Sequence, residues 1–144
     1  LTLRYNVKKN DFSRGGAASN NIKKALLRLG ASPQVARRCG IAVYEAEMNL
    51  IIHTNHGGVL RVEIEPDRIT MEAYDDGPGI PDISLAMKPG YSTAPPEIRA
   101  MGFGAGMGLV NIKSCVDEMN LSSSLDRGTN LYMVMHLDKS KPLA

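Results

Sequence analysis

Two short runs of strictly alternating hydrophobicity constrain this chain more than any other feature. Leu60, Val62 and Ile64 alternate with Arg61 and Glu63; Pro66-Asp67 interrupts, and Ile69, Met71 and Ala73 alternate again. A period of two puts every second side chain on one face of a pleated strand. The pair is therefore a β-hairpin with one buried face. Upstream the period changes. Ile22, Ala25, Leu26 and Leu29 recur at helical spacing, and Gly30 stops that helix. Ser32-Pro33 opens a second helix, a cap residue followed by proline at the first helical position, predicted to run to about His53. Residues 2–8 alternate weakly and suit an edge strand. "DFSRGGAASNN" reads as a loop ending in helix-cap residues.

Beyond the hairpin, residues 82–105 are rich in proline and glycine and read as a long loop or lid. Leu109, Ile112, Val116 and Met119 then share one face of a third helix. Leu121–Leu125, a turn at "DRG" and Thr129–Leu137 form a closing hairpin. The predicted order is β-α-α-β-β-lid-α-β-β. The fold class is α+β: a two-layer sandwich whose mixed, mostly antiparallel sheet carries its helices on one face. The alternating βαβ pattern of a dinucleotide-binding domain is absent.

At 144 residues the chain reads as a single domain, 1–144, long enough to bury a core without staples. A net charge of +2 with scattered charges argues against nucleic acid as a partner. Cys39 and Cys115 fall in apolar, helix-like segments and read as reduced, buried thiols. No signal peptide opens the chain, and no apolar run approaches the ~20 residues of a membrane span. The expected location is the cytoplasm.

Polar chemistry interrupts this apolar framework in three places. In "AVYEAEMNLIIH", Glu45, Asn49 and His53 recur every four residues and share one helix face, whereas Glu47 points away from it. A carboxylate can serve as a general base, and a carboxamide oxygen suits Mg²⁺. A solvated polar face is the plainer alternative. In "DDGPG", Asp75 leaves a strand where Gly77 and Gly79 permit a closely approached backbone. A carboxylate there can accept a hydrogen bond from an exocyclic amine such as adenine's, although D-G and P-G pairs also make ordinary turns. In "GFGAGMG", Gly102, Gly104, Gly106 and Gly108 precede a helix, whose free N–H groups suit phosphate. A flexible hinge is the alternative. The run follows a lid and not a strand, so it fails the context of a dinucleotide fingerprint, and no GxxxxGK[ST] loop is present.

Taken together and in this order, the E-x-x-x-N helix, the strand-end D-x-G-x-G and the G-x-G-x-G before a helix are far more specific. The sequence resembles the Bergerat-fold (GHKL) ATPases, which include gyrase, heat-shock chaperone and histidine-kinase ATP-binding domains. In size and in "YEAEMN", "DDGPGIPDI", "AMKPGYSTA", "GFGAGMGL" and "GTNLYMVM" it is similar to the serine kinases of bacterial partner switching, the anti-sigma-factor and stressosome switch kinases. The resemblance spans nearly the whole chain. It implies ATP and Mg²⁺ as cofactors, Glu45 as general base, Asn49 as metal ligand, and Asp75 with Gly77 and Gly79 at the adenine. It further implies Gly104, Gly106 and Gly108 at the phosphates and Thr129 near the adenine side. His53, on the same helix face as Glu45 and Asn49, either lines this site or serves packing. The implied substrate is a serine or threonine of a small STAS-type antagonist or scaffold protein. A phosphatase, a sigma factor and a second copy of the chain are further partners it allows. "APPEIRAM" makes the lid longer than in the most compact members of that family. Two other functions compete: a nucleotide-gated anti-sigma or switch module with little catalysis, and a detached histidine-kinase ATPase domain. The last would have no need of a carboxylate base at position 45.

Overall fold

The computed structural model describes residues 1–54, 56–75, 87–88, 108–124 and 128–137. These form β1 (Thr2–Lys8), a 3-10 turn (Phe12–Arg14), α1 (Ala17–Arg28), α2 (Pro33–His53), β2 (Gly57–Ile64) and β3 (Arg68–Asp75). They continue as α3 (Gly108–Cys115), β4 (Glu118–Ser124) and β5 (Gly128–His136). The strands make one sheet in the order β1-β2-β3-β5-β4, and every pairing is antiparallel. The expected α+β sandwich is the observed one. The lid expected at 82–105 lies outside the described residues, apart from Met87 and Lys88.

Alternation places Leu60, Val62, Ile64, Ile69, Met71, Ala73, Leu131, Met133 and Met135 on one buried sheet face. Ile22 and Leu26 of α1, Ala42, Val43, Ala46 and Leu50 of α2, and Ile112 of α3 complete the same core. The other face of the β2–β3 hairpin carries Arg61, whose guanidinium pairs with Glu63 at 3.1 Å and Glu72 at 3.8 Å. α2 begins as its sequence predicts, with Val35 N–H donating to Ser32 Oγ at 3.1 Å. It ends at Thr54, a buried residue whose hydroxyl donates to Leu50 O at 2.6 Å and accepts from Gly57 N–H at 2.7 Å.

Three sequence expectations need correction. α1 starts at Ala17, inside the stretch expected to be loop. The reason is remote. Glu47 lies off the face of Glu45 and Asn49, as its spacing implies, and is buried, with Gly16 N–H donating to its Oε1 at 3.0 Å and the N–H groups of Ala18 and Ser19 also turned to it. Those are helix-terminal donors with no local partner, and a side chain from α2 satisfies them. The third helix stops at Cys115. Asp117 N–H donates to Val134 O at 2.9 Å, so Met119 joins a strand and not a helix face. Cys39 is buried, and burial pushes its thiol up to about 12. Cys115 is only half-buried; both are free.

Burial raises the Glu47 carboxyl above its ordinary 4.5, against the pull of the backbone N–H groups. The folded protein therefore keeps this proton to higher pH than the unfolded chain. Its contribution to stability is fully present below the ordinary value and is lost as pH rises through the raised one. Glu47→Gln keeps an acceptor oxygen but cannot ionise. Denaturant unfolding at stepped pH should show Gln gaining on Glu from about pH 4.5 upward, then levelling. A difference that stays flat or reverses would contradict this assignment.

Candidate functional site

The polar face of α2 meets the first turn of α3. A Cβ built on Gly108 would lie 3.1 Å from Glu45 Oε2 and 3.5 Å from Asn49 Oδ1. Asn111, one turn further along α3, donates from Nδ2 to Glu45 Oε1 at 3.3 Å. Gly108 and Asn111 stand three apart and so face α2 together, while Ile112 beside them is fully buried and anchors the helix. Glu45 and Asn49 are half-buried, so both carry exchangeable polar groups at the edge of the core.

Asp75 ends β3 opposite Gly58 on β2. At Gly58 an added Cβ would lie 2.8 Å from Leu50 Cδ2 and 3.1 Å from Asp75 Cβ. Leu50 and the base of the Asp75 side chain thus meet at Gly58. Thr129 is on the neighbouring strand, next to Asn130, whose partner on β3 is Tyr74. Its hydroxyl bonds Ser123 Oγ at 3.0 Å. His53, at the end of α2, is half-buried beside Lys9, whose Nζ donates to Ile52 O at 3.0 Å. Burial first, and Lys9 second, lower the imidazole below its ordinary value. The ring is therefore mostly neutral at pH 7.

The structure thus brings Glu45, Asn49 and Gly108 together and sets Asp75 and Thr129 on adjacent strand ends. It places His53 two turns from Glu45. Gly77, Gly79, Gly104 and Gly106 lie outside the described residues. Asn111 was missed by sequence reasoning, although its spacing of three from Gly108 is the one signal that could have found it.

Among the described residues no cluster of three His, Cys, Asp or Glu side chains could hold a metal alone. Mg²⁺ in general keeps several waters and takes one or two protein oxygens together with substrate phosphates. Asn49 Oδ1, beside Gly108, is a carboxamide oxygen of the kind such an ion would take.

A sheet with helices on one face, a carboxylate–carboxamide helix and a glycine-led helix against it are the arrangement expected of the GHKL class of ATPase domains. The pattern of the histidine kinase-, DNA gyrase B-, and HSP90-like ATPases matches residues 34–141. The chain belongs to that family. Among curated relatives, the anti-sigma F factor of Bacillus licheniformis is 34% identical over 106 residues, 70% of this chain and 69% of that protein. The anti-sigma F factor of Thermoanaerobacter sp. (strain X514) is 36% identical over 104 residues, 69% of each. The fold is shared with the RsbU and RsbW domains of a Mycobacterium tuberculosis protein, at a TM-score of 0.64 and 13% identity over 95% of this chain and 32% of that one. The mycobacterial sensor histidine kinase MprB matches with a TM-score of 0.54 and 17% identity, over 99% of this chain and 98% of that one.

Proposed function

We propose that the chain is an ATP- and Mg²⁺-dependent serine/threonine-protein kinase of a bacterial partner-switching pathway, acting on a small STAS-type antagonist or scaffold protein. The observation that carries this reading is the carboxylate of Glu45 held at the glycine that opens α3, one turn from Asn49. A detached histidine-kinase ATPase domain would have no need of a base there. In this reading Asp75 accepts from the adenine amine, with Gly77 and Gly79 shaping that pocket and Thr129 beside it. The backbone of Gly104, Gly106 and Gly108 cradles the phosphates. Asn49 would hold Mg²⁺, which would neutralise charge on the phosphates. Glu45 takes the proton of the acceptor hydroxyl as that oxygen bonds the γ-phosphorus. The bond from the γ-phosphorus to the β–γ bridging oxygen breaks, and ADP leaves. Such transfer needs positioning and charge neutralisation more than covalent help.

Relatives that are anti-sigma factors favour a second reading, a nucleotide-gated module that binds a sigma factor or antagonist with little catalysis. In either reading the protein works in the cytoplasm. Among the described residues no helix is long and apolar enough to cross a membrane.

The test is phosphotransfer from Mg-ATP to a small STAS-type antagonist protein, read by the target's mass. A phosphoserine or phosphothreonine is expected. Asp75→Asn should need roughly 10- to 100-fold more ATP, the worth of a hydrogen bond to a charged acceptor. ATP binding without transfer would establish the binding module instead.

A further inference from the structure

We propose that Asn111 is a positioning residue for Glu45, an assignment that rests on the kinase reading of Glu45. A glutamate on a helix has three rotatable bonds, and ordering it costs side-chain entropy. A base serves only when its oxygen stands within hydrogen-bond reach of the proton it removes. The Nδ2–H of Asn111 engages Oε1 at 3.3 Å. Oε2 then lies over Gly108, 3.1 Å from where a Cβ would stand. One oxygen is held, and the other is presented across the opening turn of α3.

The chemistry of the donor matters. A lysine or arginine at 111 would neutralise the carboxylate and compete for its proton. A carboxamide N–H orients it and carries no charge. The placement matters equally. α3 begins at Gly108, the last glycine of the phosphate-type run, and is fixed in the core by Ile112. The helix that starts at the proposed phosphate cradle thus also aims the base. The side chains next to Asn111 on the outer surface, Lys113 and Ser114, are exposed and take no part.

The test compares wild type, Asn111→Leu and Glu45→Ala for phosphotransfer to the antagonist-like protein, Mg-ATP affinity and thermal unfolding. Asn111→Leu keeps the side-chain size and removes the donor. We expect its kcat to fall about tenfold, as for a base displaced but not removed. KM for ATP, Mg-ATP affinity and the melting temperature should hold. An unchanged kcat overturns the proposal, as does a loss that tracks weaker nucleotide binding or a lower melting temperature. If wild type transfers no phosphate, the kinase reading itself fails. The contact is then decided by the NMR signal of the Asn111 side-chain amide, which should move in Glu45→Gln and in Glu45→Ala. A signal that stays put in both overturns the hold on Glu45 as well.

Discussion

Glu45→Gln should lower phosphotransfer by about 10²- to 10⁴-fold, the usual worth of a general base, while Mg-ATP affinity stays within about twofold. The substitution is nearly isosteric. The glutamine carbonyl oxygen can still accept from Asn111, so the link between α2 and α3 survives. Asn49 and Gly108 are untouched. What disappears is the carboxylate oxygen that would take the proton. The check is single-turnover transfer from radiolabelled ATP, with affinity measured separately by calorimetry. Undiminished transfer would remove Glu45 from the chemistry. Lost affinity with an unchanged rate for the bound complex would make it a nucleotide ligand instead.

Gly57→Ala should be the most damaging single methyl group in the described chain, destabilising it by about 3 kcal/mol or more. Two costs coincide. Gly57 has φ of +92°, a backbone conformation that residues with a Cβ rarely adopt. The added carbon would also stand 1.9 Å from the carbonyl oxygen of Val7 and 2.8 Å from Lys8 Cα, both backbone atoms of β1. Neither can rotate away, so the edge strand must shift. The hydrogen bond from Gly57 N–H to Thr54, which ends α2, would shift with it. Because Gly58 next to it pairs with Asp75, the disturbance reaches the proposed adenine pocket. Urea unfolding should show a midpoint far below wild type; a change under about 1 kcal/mol would mean that β1 yields freely. Gly30→Ala is the fitting control, since it shares a positive φ of +95° but has open space around it.

How far this protein was legible in its residues can be read from individual elements. The β2–β3 hairpin, the opening of α2 at Ser32-Pro33 and the shared face of Glu45 and Asn49 were all visible in advance. Each depends on backbone repeat geometry within a few residues, which spacing reports directly. The end of the third helix was misjudged because Val116 and Met119 are compatible with a period of 3.6. Only the bond from Asp117 to Val134 shows that the chain has already turned into the sheet.

Glu47 is the clearest case of the opposite kind. On its own helix it is a charged residue off the polar face, and spacing along the chain does not say what it meets there. It is buried because the N-terminus of α1, 31 residues earlier, leaves N–H groups that need an acceptor. Asn111 meets Glu45 across 66 residues for a similar reason: two helices share a core, and a donor on one falls opposite a carboxylate on the other. By itself, then, the sequence determined most of the elements, their buried faces and the residue types that the proposed ATP chemistry would use, since these follow from local periodicity and side-chain chemistry. The tertiary structure alone decided which polar groups satisfy one another and where Glu45 is aimed, because those depend on distances between segments that no spacing along the chain encodes.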